Sequence, residues 1–161
     1  MNKETETLLA VLNSQRDHVL GILDGLPEDA LRRPVLPSGW TCLGLVRHLA
    51  LDVERFWFRA VVGGESVELE TGDAAWQVAP DVTAEAVFGS YRRETELANA
   101  IIAATPLDAP PVWWPDDFFG DAPPRDLRTI ILHVITETAC HAGHLDAARE
   151  LTDGRTWLVL T

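Results

Sequence analysis

The chain has 161 residues, of which 47% are hydrophobic and 24% are charged, a balance typical of a globular protein rather than a disordered one. Its formal net charge of −12 disfavours binding to nucleic acid or to an anionic membrane surface. No segment is long and apolar enough to span a bilayer, and the start, MNKETETLLA, lacks the apolar core of a signal peptide. We therefore expect one domain, residues 1–161, in the cytoplasm.

Four segments with helical periodicity follow one another, separated by stretches rich in Pro, Gly and Asp. They cover residues 4–26, 41–62, 83–104 and 126–152. Thr41 is placed to cap the second segment, because its side-chain oxygen can accept an otherwise unpaired backbone N–H. No stretch alternates with a period of two, so the pattern predicts an all-α fold. The closing residues, RTWLVLT, are expected to be extended or to dock on the helices.

Two connections in this scheme are long, at residues 63–82 and 105–125. Loops of about twenty residues are unusual in a compact domain and often carry function. They also allow neighbouring helices to run parallel through a crossover. The second loop holds the clustered aromatics of VWWP and Phe118-Phe119. We expect these side chains to cover the core in the first place, with a pocket wall or a dimer surface as alternatives.

The fourth helix carries an unusual set of polar side chains in the segment HVITETACHAGHLDAARE. At about 100° per residue, His133, Glu137, His141 and His144 fall within an arc of roughly 80°. Apolar residues lie on or beside this arc, so it is expected to face the core. Buried polar groups need partners, and one divalent cation can bind imidazole nitrogen and carboxylate oxygen together. The pattern therefore favours a metal site.

A further ligand is expected from a facing helix, and His48 is the only histidine of the second segment. Asp52, one turn later, can accept a hydrogen bond from its imidazole N–H. The spacing leaves open whether Glu137 or His144 is the third ligand. His144 can instead transfer protons beside the metal, since an imidazole pKa lies near neutrality. His133 can pair with Glu137.

The remaining candidates for chemistry are interpreted as structural. His18 is expected to be an ordinary hydrogen-bonded histidine. Cys42 and Cys140 are too few for a disulfide framework and are expected to be free thiols, with Cys140 packed between helices.

The segments PSGWTCLGLVRHLALDVERFWFR and DLRTIILHVITETACHAGHLDAARELTDG together resemble the DinB-like superfamily of metalloproteins, in particular its actinobacterial branch of mycothiol-dependent enzymes. The resemblance covers nearly the whole chain. It implies a four-helix bundle with up-down-down-up connectivity. It also implies that His48, Glu137 and His141 bind a divalent metal, most often zinc or nickel. Many members carry histidine where this chain has Glu137, and the carboxylate resembles the mycothiol-dependent isomerases.

The function that this resemblance implies is a metal-dependent thiol S-transferase, in which the metal activates a low-molecular-weight thiol such as mycothiol. The partners are then that thiol and a small electrophile, with His144 as the catalytic proton carrier. Arg92, Arg93 and the Trp113–Trp114 loop are candidates for thiol recognition. Two other hypotheses stay open: a non-enzymatic, stress-related binding protein with a vestigial metal site, and a thiol-independent metal hydrolase. A homodimer is also expected.

Overall fold

Helices make up most of the computed structural model, which describes residues 1–157 apart from the side chain of Phe118. In chain order they are α1 (Lys3–Leu23), α2 (Glu28–Leu31), α3 (Cys42–His48), a π-helix (Leu49–Val62), a 3-10 helix (Ala74–Trp76), α4 (Ala84–Ala104), α5 (Asp116–Phe119) and α6 (Leu127–Asp153). No strand occurs within the described residues, so the all-α prediction is confirmed. Within those residues, no helix combines the length and apolarity that crossing a bilayer requires.

Side-chain caps fix where the long helices begin. Asn2, Thr83 and Asp126 each accept a hydrogen bond from the backbone N–H three residues later. Thr41 does the same for Gly44, at 3.0 Å, which confirms the predicted cap. Each cap satisfies an N–H that the first helical turn leaves unpaired.

The sequence predicts the second long segment as one uniform helix, but the structure divides it into two types of helix. It begins as α3 and continues from Leu49 as a π-helix, whose bonds join residues five apart, such as Gly63 N–H to Phe58 C=O at 2.9 Å. His48 is the last residue of the α-helical part. Hydrophobic periodicity does not distinguish the two hydrogen-bond patterns, because either one buries a stripe of apolar side chains.

Contacts between helices give their relative directions. Glu4 pairs with Arg128 at 2.6 Å and His18 with Asp146 at 2.7 Å, so residue numbers rise together and α1 and α6 are parallel. In contrast, the His48 ring lies 5.1 Å from the His141 ring, and Trp57 lies 4.7 Å from His133. The segment formed by α3 and the π-helix is therefore antiparallel to α6.

The remaining pair, the second and third long helices, is parallel. Arg47 lines a cleft with Ala86, while Arg59, three turns later, pairs with Glu94 of α4 at 3.1 Å. Together these directions give the up-down-down-up bundle, and the two long loops supply the crossovers that it needs.

The segment that follows α6 packs against α1. Trp157 stacks on His18 of α1, with ring centroids 4.9 Å apart. The rest of the predicted tail, residues 158–161, lies outside the described residues.

Candidate metal centre

Three side chains from the second and fourth long helices meet at one point. His48 offers an imidazole nitrogen from the end of α3, and Glu137 and His141 offer a carboxylate oxygen and a nitrogen from α6. One ligand atom from each lies within 4.8 Å of the others. The His48 and Glu137 atoms are 4.0 Å apart, and those of Glu137 and His141 are 3.0 Å apart. Such a set of nitrogen and oxygen donors suits a divalent transition metal.

Local sequence explains why the three residues converge. Residues four apart on an α-helix project from the same face, so Glu137 and His141 lie side by side. Because α6 runs antiparallel to the segment that carries His48, the middle of α6 faces the junction of α3 and the π-helix. Both imidazoles are largely buried, whereas Glu137 is half-exposed.

The two nitrogens of His48 have different surroundings. Nδ1 lies 2.8 Å from a carboxylate oxygen of Asp52, and since a carboxylate only accepts, Nδ1 carries the proton. Nε2 is buried and has no hydrogen-bond partner among the described residues. Its lone pair therefore faces Glu137 and His141 without a donor. A buried acceptor in this state is unfavourable, and a metal ion at the cluster would satisfy it.

His141 is held in the form that binds metals. Burial lowers the pKa of this imidazole, an effect that the negative charge of Glu137 opposes. A lowered pKa keeps the ring neutral at neutral pH, and only a neutral imidazole has a lone pair to donate. The residues present therefore fit a divalent cation in both geometry and protonation.

His144 lies next to the cluster but outside it. Its Nδ1 is 3.4 Å from the Nδ1 of His141, on the side of that ring that faces away from Glu137. Its ring is exposed and lies 6.1 Å from Trp40. In this arrangement Glu137, rather than His144, shares the cluster with the two histidines. The catalytic role of His144 stays a prediction.

The other histidines have separate surroundings. His133 packs edge-on against Trp57 at 4.7 Å and is not part of the cluster. His18 is hydrogen-bonded to Asp146 at 2.7 Å, in line with its structural interpretation.

Both cysteines are free thiols, as predicted. Cys42 is buried, but Cys140 is exposed, so the prediction that it packs between helices is wrong. Positions 138 and 142 take the buried face of α6 on either side of it, which turns Cys140 outward.

Trp76 is a residue of the site that sequence reasoning missed. It lies on the 3-10 helix in the first long loop, and its ring stacks on His48 at 4.1 Å with an interplanar angle of 16°. It also meets the His141 ring edge-on at 5.7 Å. Its place after a Gly-Asp-Ala-Ala stretch carries no periodic signal, so only the length of the loop pointed to function.

One cavity adjoins the cluster and a second lies beyond Trp76. The first, of about 370 Å³, is mainly apolar and reaches His48 and Glu137 from the side of the π-helix. The second, of about 460 Å³, is more polar and is lined by Trp76 together with Arg32, Thr41, Asp73 and Gln77. Trp76 thus contacts His48 with its ring while also forming a wall of the polar cavity.

The second long loop contributes to the apolar cavity. Pro115 and Phe119 line it, and Phe119 packs 5.6 Å from Phe56 of the π-helix. Phe119 therefore forms part of a pocket wall, the second alternative, whereas Trp114 is partly buried and packs against the core, as first expected. Arg92, a candidate for thiol recognition, instead pairs with Glu85 on the surface of α4. Neither Arg92 nor Arg93 lines either cavity beside the cluster.

Comparison with known proteins agrees with this architecture. The family model described as mycothiol-S-transferase matches residues 7–154, which is nearly the whole chain. No curated protein and no solved structure matches it. The match covers α1 from residue 7 onward, the other three long helices and every residue of the His/Glu/His cluster. The chain therefore belongs to the mycothiol-S-transferase family, a DinB-like family.

Proposed function

We propose that this protein is a metal-dependent thiol S-transferase that joins a low-molecular-weight thiol of the mycothiol type to a small electrophile. The observation that carries the proposal is the buried, unpartnered Nε2 of His48, which faces Glu137 and His141 at the edge of the apolar cavity. A structural histidine would normally have both nitrogens hydrogen-bonded. Membership of the mycothiol-S-transferase family supports the choice of reaction.

In this proposal His48, Glu137 and His141 hold one divalent metal, with zinc or nickel as the candidates. A metal held by these residues would lower the pKa of a thiol from its usual value of about 8.5, which would favour the thiolate at neutral pH. Asp52 keeps the proton of His48 on Nδ1, which leaves Nε2 free to bind. The three ligands leave open positions for a substrate.

In this proposal His144 contacts the metal centre indirectly, through His141. If Nε2 of His141 were a ligand, its ring proton would reside on Nδ1, which could donate a hydrogen bond to the Nδ1 of His144, 3.4 Å away. Because the His144 ring is exposed, it can also pass the proton of the incoming thiol to water. The polar cavity on the far side of Trp76 suits the hydrophilic part of such a thiol.

The test is formation of a thioether by the metal-loaded protein, mycothiol and a panel of electrophiles, measured by mass spectrometry. We expect product only with both metal and thiol present, at a rate above the uncatalysed reaction. Turnover that persists without thiol would favour the hydrolase hypothesis instead. A metal-loaded protein that is inert with every electrophile would favour the binding protein. The cytoplasmic location, the single domain and the homodimer stay predictions.

A further inference from the structure

The apolar cavity beside the cluster has an aromatic wall built by two separate elements. Phe56 and Trp57 of the π-helix pack against each other at 5.1 Å. Phe119 of α5 packs against this pair, 5.6 Å from Phe56, and lies 5.4 Å from Trp114. Leu69 of the first long loop completes the apolar lining, and His48 and Glu137 lie at one edge. A wall of flat aromatic side chains favours a flat, apolar guest.

Three carboxylates line this cavity together with the imidazoles of His48 and His133. Asp52, Glu70 and Glu137 contribute carboxylates, and no Lys or Arg is among the residues that line it. Glu70 pairs with Arg47, but that guanidinium lies outside the lining. A divalent metal at the cluster would offset the charge of Glu137. An anionic guest would still meet the carboxylates of Asp52 and Glu70 with no Lys or Arg in the lining to balance them, and the net charge of −12 adds to this repulsion.

The size of the cavity suits a small guest. A volume of about 370 Å³ lies at the lower end of the range for sites of drug-sized ligands, roughly 300–1,000 Å³. It therefore has room for one substituted aromatic ring.

We propose that this cavity is the electrophile site and that it selects uncharged, flat aromatic electrophiles over anionic ones. The assignment rests on the proposed S-transferase function. Taking an aryl chloride as the probe, the thiolate sulfur forms a bond to the ring carbon and the carbon–chlorine bond breaks. Chloride leaves with the bonding electron pair, and the thiol proton goes to water. The products are an aryl thioether, chloride and a proton.

The first experiment measures binding without catalysis. 1,3-Dinitrobenzene and 3,5-dinitrobenzoate are flat, lack a leaving group and differ by one carboxylate, and both quench tryptophan fluorescence. We expect the neutral compound to bind at least about tenfold more tightly. Leu69→Ala and Phe119→Ala should weaken it by roughly threefold to tenfold. Leu132→Ala is the matched control, because Leu132 is also an exposed leucine, at 50% against 39% for Leu69, and does not line the cavity.

Equal or stronger binding of the carboxylate would overturn the proposal. Binding that is unchanged in both Leu69→Ala and Phe119→Ala would do the same, because the neutral compound would then occupy another place. Both side chains are substantially exposed, so their truncation removes little of the core and should leave the protein folded.

The second experiment keeps this proposal separate from the proposed function. It compares thioether formation from 1-chloro-2,4-dinitrobenzene and 4-chloro-3,5-dinitrobenzoate, each relative to its uncatalysed rate with the same thiol. We expect a higher relative kcat/KM for the neutral chloride, and a rise in its KM in Leu69→Ala. Similar relative values for both chlorides would overturn the electrophile site alone. If neither forms a thioether faster than the uncatalysed reaction, the S-transferase function itself fails, whatever the binding experiment shows.

Discussion

The two nitrogens of His48 are the clearest indication that this bundle has more than a structural role. Asp52 engages Nδ1, whereas Nε2 is buried without a donor among the described residues. His18, on another helix, offers a contrast, because its Nε2 has a carboxylate partner in Asp146. The Nε2 of His18 therefore has a hydrogen-bond partner, whereas the Nε2 of His48 is free to bind a metal.

Asp52→Asn should lower metal affinity by about tenfold to a hundredfold without abolishing it, because the carboxylate orients His48 but is not a ligand. The measurement is competition with a chelator of known affinity. Asp146→Asn is the matched control, since it alters the other His–carboxylate pair, away from the cluster. Equal metal affinity in Asp52→Asn and in the unsubstituted protein would show that the hydrogen bond from His48 to Asp52 does not orient His48 for metal binding.

The two cysteines should differ strongly in reactivity. Burial raises the pKa of the Cys42 thiol to about 11, so at pH 8 only about one molecule in a thousand carries the reactive thiolate. Cys140 is exposed. Ellman's reagent at pH 8 should therefore modify one thiol per native chain and two after unfolding, and Cys140→Ser should remove the native reaction. Modification of both thiols at equal rates in the native protein would contradict the burial of Cys42.

At the scale of secondary-structure elements, the loop that carries Trp76 is held against α3 by a close approach at Gly44. A Cβ at this position would come closer than van der Waals contact to the carbonyl oxygen of Trp76. Gly44→Ala should therefore push the loop away from the His48 ring. Near-ultraviolet circular dichroism should change, and metal affinity should fall.

The control for that substitution is Gly89→Ala in α4, where a Cβ would have no neighbour within 4 Å. Alanine there should leave metal affinity unchanged and stabilise the helix by roughly 0.5–1 kcal/mol, because alanine loses less backbone entropy than glycine. If Gly44→Ala behaved like Gly89→Ala, the contact between the loop and α3 would not position Trp76.

A buried ion pair links α1 to the π-helix. The Arg16 guanidinium donates to both carboxylate oxygens of Glu54, at 2.7 and 2.5 Å, and to the Asn99 side chain of α4 at 2.6 Å. Glu54→Ala leaves the arginine charge buried without its partner. It should lower the free energy of unfolding by about 3–5 kcal/mol in urea titrations.

Two comparisons isolate the cause of that loss. Replacing both partners, as Arg16→Met with Glu54→Leu, should cost much less than Glu54→Ala alone, because no unpaired charge remains. Glu85→Ala breaks the exposed pair with Arg92 and should change stability by less than about 1 kcal/mol. If Glu54→Ala lowered the free energy of unfolding no more than Glu85→Ala does, the buried pair would not stabilise the fold more than an exposed pair.

For the molecule as a whole, the sequence predicts the bundle better than it predicts the site. The four long helices lie within a few residues of their predicted bounds, because periodic apolar residues and caps act locally. The up-down-down-up order was implied by family resemblance and agrees with the two long loops. The His/Glu pair of α6 was visible because both residues lie on one helix.

What the sequence could not give depends on tertiary packing. The change to a π-helix after His48 and the stacking of Trp76 on its ring leave no periodic signal. The choice between Glu137 and His144 could not be made from spacing alone. In the fold, Glu137 lies beside the Nε2 of His141, whereas His144 lies against its Nδ1.

The metal content of the protein purified without added metal tests the central claim most directly. We predict one divalent metal ion per chain by elemental analysis, lost in His48→Ala and in His141→Ala but kept in His18→Ala, whose ring lies outside the cluster. Circular dichroism would check that all three variants are folded. Full metal occupancy in both His48→Ala and His141→Ala would contradict the assignment of the His48, Glu137 and His141 cluster as the metal site.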